Sequence, residues 1–230
     1  MSSRTKIFLF VVLPLALVLA IVLFLNGPAA YEGRGWASMD MGEFEKALGH
    51  FDKAIEKWPE NRFDHCPPYC GKVIALTFLE RWEETIPVCD RIIAMECEDL
   101  FAWPYRVDAW PHVRRGIAHL KLGDFDAALA DFDAALGVPT ATDLERYEAL
   151  VGRGNVLCET GDYKQAIEEL TSAVALEFPF ETVIHELDYT FFCYYFEKDA
   201  YLLRGKAYEE LGRAEEALAD YKKAGEAGVH

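Results

Sequence analysis

The chain begins with one unbroken apolar run and then changes to a mixed pattern. Ile7 to Leu25 carries no charge and no hydrogen-bonding side chain. As a helix this run would span about 28 Å, the thickness of a bilayer core. Pro14 falls inside it, which membrane helices tolerate. Arg4 and Lys6 precede the run, and Glu32 is the first acid after it. Cytoplasmic flanks retain positive charge, so residues 1–6 are expected inside, 7–25 as a transmembrane helix and 26–230 on the far side. A cleaved export signal usually has an apolar core of about 7–15 residues. This run is longer, and Asn26 to Ala30 makes a poor cleavage site, so an uncleaved anchor is expected.

Beyond Leu25 the apolar positions are interleaved with small ones at fixed spacing. Arg-Gly occurs at Arg34-Gly35, Arg115-Gly116, Arg153-Gly154 and Arg204-Gly205. Seven residues after each of those glycines stands another: Gly42, Gly123, Gly161 and Gly212. Alanine follows at offset 12 (Ala47, Ala128, Ala166, Ala217) and offset 19 (Ala54, Ala135, Ala173, Ala224). Between them, at offset 16, comes a large residue: Phe51, Phe132, Leu170 or Tyr221. The second glycine suits a left-handed helix end. The acid after it in the first, third and fourth copies (Glu43, Asp124, Asp162) suits the start of the next helix. Each copy therefore predicts two helices, with small residues letting them approach and large ones filling the gap.

These residues resemble the tetratricopeptide repeat, whose signature places glycine, alanine, an aromatic and proline along two antiparallel helices. Tyr31 stands where that family usually has tryptophan, and Pro59 closes the first copy. The resemblance covers about residues 28–59, 109–140, 147–178 and 198–227. A degenerate copy fits over 66–97. Counted from Val73 in place of glycine, the offsets land on Thr85, Cys89 and Ile92, with Arg81 read as replacing the turn glycine. The expected fold is all-α: an α-solenoid of about five helix pairs, residues 26–230, following the transmembrane helix. The resemblance implies a concave face lined by the first helix of each copy, where extended peptides bind. Its inward positions would include Glu32, Trp36, Met39, Ile74, Phe78, Ile117, Lys121, Asn155, Glu159 and Lys206. Members that clamp a carboxylate tail use several Lys, Arg and Asn residues. Only Asn155 fits that scheme, so an apolar or mildly basic protein segment is the expected ligand.

The spacing between copies exceeds the family's, so inserts are expected along one rim. They are rich in aromatics, among them Trp103, Trp110, Phe191 and Tyr195. These either shield an apolar edge or form a strip that holds a partner or touches lipid headgroups.

Charge then narrows the functions. There are 23 Lys+Arg against 39 Asp+Glu, a net charge of −16, which disfavours nucleic acid and, equally, adhesion to an anionic lipid surface through a basic face. Six cysteines outside the cytoplasm suggest disulfides. Antiparallel helices would bring Cys97 near Cys66 or Cys70, and a Cys66–Cys97 bridge would brace the degenerate copy. No phosphate loop, nucleophile elbow or complete metal motif occurs, so no catalysis and no cofactor is expected. The expected function is a membrane-anchored scaffold in a bacterial inner membrane, its repeats on the periplasmic side, binding other proteins. The alternative is an assembly factor presenting Cys66 and Cys70, as thiols or metal ligands, to a client. Self-association through the terminal copies is a third reading.

Overall fold

A computed structural model describes residues 25–58, 66–95, 109–176 and 197–226. All ten elements among the described residues are α-helices. They are α1 (Pro28–Asp40), α2 (Phe44–Lys57), α3 (Cys66–Phe78), α4 (Trp82–Ala94), α5 (Trp110–Leu122), α6 (Phe125–Gly137), α7 (Asp143–Thr160), α8 (Tyr163–Val174), α9 (Glu197–Glu210) and α10 (Ala214–Glu226). They fall into two compact units, one reaching to Leu79 and the other beginning at Glu80. The expected anchor, residues 7–25, lies outside the described residues except for Leu25. No described helix is long and apolar enough to cross a membrane.

In the first unit α1 pairs with α2, and α2 packs on α3. Phe51 is fully buried at the centre. A Cβ on Gly35 of α1 would come within 2.5 Å of its ring, and one on Gly71 of α3 within 2.3 Å. The ring is thus gripped between two glycines, because only a bare backbone can approach so closely. Trp36 meets it edge-on with ring centroids 5.2 Å apart, and Phe44 stacks on Phe78 at 4.5 Å.

The second unit repeats this arrangement. Neighbouring helices pack in series from α4 to α10, and α5 with α7 and α7 with α9 also touch. Phe132 lies between Gly116 and Gly152, where Cβ atoms would stand 2.8 and 2.3 Å from it. Leu170 fills the same role against Gly154, and Tyr221 against Gly205. The alanines of offsets 12 and 19 are buried in every complete copy. Burying Phe51, Phe132 and Leu170, all fully enclosed, contributes about 2–3 kcal/mol each.

All four turn glycines adopt positive φ, between 71° and 85°. In the degenerate copy the corresponding residue is Glu80, at φ 54°, and not the expected Arg81. Glu80 is the seventh residue after Val73, and it accepts a left-handed conformation that costs a side-chain-bearing residue about 1 kcal/mol. Asp124 and Asp162 cap their helices by accepting from Ala127 and Gln165 N–H. Glu43 makes no such cap and pairs with Lys46 at 2.8 Å instead.

The insert before the fourth copy is not a rim loop. It lengthens α7, which starts at Asp143 behind a capping box formed by Thr142 and Glu145. The other inserts, with Trp103, Phe191 and Tyr195, lie outside the described residues.

Candidate functional site

The first helices supply the expected binding face, and packing divides its residues. Met39, Ile74 and Ile117 are 1–2% exposed and belong to the core, so they offer a ligand no surface. Glu32, Trp36 and Asn155 are half-buried, and Phe78, Lys121, Glu159 and Lys206 are exposed. Burial pushes the Glu32 carboxyl above its ordinary range. Lys206 on α9 pairs with Glu159 on α7 at 3.3 Å. This pair brings one expected position of α9 beside one of α7. Leu202, Leu211 and Leu122 add exposed apolar surface to these helices.

Trp110 is not a rim residue. It is 2% exposed at the start of α5, beneath the Arg114 guanidinium at 5.3 Å. Its backbone N–H and that of Ala109 donate to Glu145 at 2.8 and 3.2 Å. Glu145 also accepts from the Thr142 N–H and hydroxyl, so one buried carboxylate holds the starts of two helices. Burial pushes its pKa up, against those four hydrogen bonds. Arg114 and Glu148, both nearly unexposed, form a second buried link between α5 and α7 at 3.3 Å.

The described cysteines do not form a working thiol pair. Cys66 is disulfide-bonded, with its partner outside the described residues, while Cys70, Cys89 and Cys158 are buried and carry no disulfide. Burial pushes the Cys70 thiol up to about 12 and that of Cys158 up to about 11. Thiols held so far above neutrality supply almost no thiolate, so Cys70 is a poor nucleophile or ligand. Among the described residues no cluster could hold a metal ion. The thiol or metal reading of Cys66 and Cys70 is corrected accordingly.

The arginines of the last three Arg-Gly pairs have a role that the motif itself does not suggest. Arg115 makes a two-pronged contact with Asp131 on its own second helix, 2.6–3.0 Å long, and also binds Asp90 on α4. Arg153 reaches Glu169 at 3.2 Å and, one copy back, Asp133 at 2.9 Å. Arg204 holds Asp220 at 2.7–2.8 Å and Thr171, one copy back, at 3.1 Å. Each guanidinium thus bridges two second helices. Burial would raise the Asp131 carboxyl, but the adjacent guanidinium and imidazoles outweigh it and hold the pKa low. Lys72 occupies the same place in the degenerate copy and meets Asp52, one copy back, at 2.6 Å. The signal was present in the sequence as an acid at offset 15, namely Asp131, Glu169 and Asp220.

The family comparisons agree with this geometry. The tetratricopeptide-repeat family matches residues 113–178 and again residues 198–226. No curated protein sequence matches the chain significantly. Among solved structures the fold is similar to a MamA protein at 18% identity and TM-score 0.58, covering 87% of this chain and 91% of that one. It is also similar to MamA 41-end from Desulfovibrio magneticus RS-1, at 17% identity and TM-score 0.60, covering 87% and 94%. With the hairpins, the turn glycines and both matched stretches in agreement, residues 113–178 and 198–226 carry tetratricopeptide repeats.

Proposed function

We propose that this protein is a non-catalytic scaffold, anchored in a bacterial inner membrane through residues 7–25, whose repeats bind other proteins on the periplasmic side. The observation that carries the reading is the Lys206–Glu159 pair, which joins exposed positions of two neighbouring first helices, α7 and α9. The mixed charge of that face, with exposed leucines beside it, suits a segment carrying apolar residues and a few basic ones. The uncharged run from Ile7 and the basic flank before it support the anchor and its orientation. A tether of this kind raises the local concentration for partners in the same membrane. A scaffold needs no converging reactive groups, and the buried, unreactive free thiols fit that role.

The test is photo-crosslinking in intact cells, with the reactive side chain placed at Asn155 or Lys206 of the full chain. The expected result is one discrete adduct from both sites, lost on Glu159→Lys, which reverses a charge within the face. Absence of any adduct from either site would sink the reading. Labelling of an added cysteine at Lys121 by an impermeant reagent reads the side of the membrane.

A further inference from the structure

The arginine ladder has one exception, and it lies in the copy next to the expected anchor. At offset 15, where copies three to five carry Asp131, Glu169 and Asp220, copy one carries His50. Arg34 therefore lacks the carboxylate its counterparts hold. It donates to the Leu25 carbonyl at 2.7 Å and lies 5.1 Å from the centre of the Tyr31 ring. Lys53 and Lys57, one turn apart on α2, stand 5.8 and 5.6 Å from the same ring. His50 faces Tyr31 at 6.2 Å, and its enclosed Nδ1 has no hydrogen-bond partner. Among the described residues no carboxylate lies within ion-pair distance of Arg34, Lys53 or Lys57, whereas nearby Lys46 and Lys72 are both paired.

Three exposed cations thus converge on one aromatic ring in a chain of net charge −16. A single ring attracts cations only weakly and cannot offset their mutual repulsion, but an anion seated among them would. Tyrosine, lysine and arginine are also the side chains that bridge apolar and aqueous layers at a bilayer surface.

We propose that Arg34, Lys53 and Lys57, with His50 and Tyr31, bind the phosphate of an anionic phospholipid headgroup in the membrane that holds the chain. The proposal rests on the anchor reading: α1 starts at Pro28, directly after the apolar run ends at Leu25, which sets copy one at headgroup level. The membrane is the natural source of the anion because the tether holds headgroups at high effective concentration there. The acidity of the rest of the chain does not oppose this contact, since screening confines such attraction to about 10 Å.

The test uses the full chain in neutral detergent micelles, with the His50 ring resonances as reporter. The charges facing that ring are Lys53 and Lys46 from its own helix and Arg34 from α1. Dihexanoylphosphatidylglycerol should shift these resonances saturably and move the His50 titration to higher pH. Dihexanoylphosphatidylcholine should not. Arg34→Gln, Lys53→Gln and Lys57→Gln should each weaken the response, by about fivefold per cation. All three side chains are exposed, so circular dichroism should be unchanged. No saturable response to phosphatidylglycerol, an equal response to inorganic phosphate, or an equal response in the triple variant would each overturn the site. Alkaline carbonate extraction of the full chain from cell membranes reads the anchor separately. A chain that is retained there but does not respond to phosphatidylglycerol loses the headgroup site and keeps the anchor. A chain that is released but still responds loses the anchor and keeps the site.

Discussion

In copies three to five the arginine before the repeat glycine is locked between two second helices, whereas in copy one the same residue lies over a tyrosine ring. The two regions share a hairpin, a glycine pair and a large side chain packed against the repeat glycine. They differ at offset 15, where Asp131, Glu169 and Asp220 give way to His50. The comparison separates two tasks that the repeat combines. Apolar packing between small and large residues makes the hairpin, and every complete copy sets its large residue against its own repeat glycine. The ionic bridge links one hairpin to its neighbour. Among the described residues no second helix precedes α1, and Arg34 donates to the Leu25 carbonyl instead.

The packing they share should be the costliest to break. Gly152→Val would drive a side chain into Phe132, which Gly116 already confines from the other side. The expected loss is about 3 kcal/mol in chemical denaturation, with most of it restored by adding Phe132→Leu. If Gly152→Val proves neutral, the glycines are incidental and the comparison loses its common term. The ionic bridge ranks next. Asp131→Asn should cost about 2 kcal/mol, because Asp131 is buried and its loss leaves Arg115 half-paired. The converse change in copy one, His50→Asp, should give Arg34 its missing carboxylate and stabilise by about 0.5 kcal/mol, a small gain because Arg34 is exposed. A loss on that change would mean that the histidine does structural work the other copies do not need.

Acid should separate the two regions most gently. Burial, with Lys53, Arg34 and Lys46 nearby, lowers the His50 pKa. That contribution is fully present above the ordinary histidine value of about 6.5 and is lost as pH falls through the lowered one. The Asp131 pKa is also lowered, so its contribution is present above the ordinary carboxylate value of about 3.9 and is lost at still lower pH. Glu145 works the other way: its raised pKa makes protonation favour the folded state as pH falls. Hydrogen exchange followed downward from pH 7 should therefore show α1 and α2 loosening before α5 and α6. Simultaneous loosening would remove the distinction.

The periodic spacing made the hairpins legible because glycine, alanine and one large residue must recur wherever two helices touch closely. The degenerate copy was legible for the same reason, although its turn proved to centre on Glu80. The ladder was harder to read. Arg115 and Asp131 lie on different helices, and nothing local joins them until the hairpin is folded. Glu145 was invisible because it falls in a stretch expected to be a loop, and its partners at Ala109 and Trp110 are distant in sequence. For Trp110 both readings stay open in the sequence, because aromatics in an insert look alike whether they pack or project. Analogy of position puts Met39, Ile74 and Ile117 in the groove, but a helix face has width, and their side chains fall in the core.

The pairing of large residues with the glycines that face them has a consequence for how such an array can change. Phe51 needs Gly71 opposite, and Phe132 needs Gly152, while Leu170 is followed at the matching place by Leu203. The copies therefore behave as keyed blocks and not as interchangeable beads. Duplicating, deleting or reordering one would set a ring against a side chain and jam the joint. Lengthening this protein by copying a block would require the two faces at the new seam to be recut together.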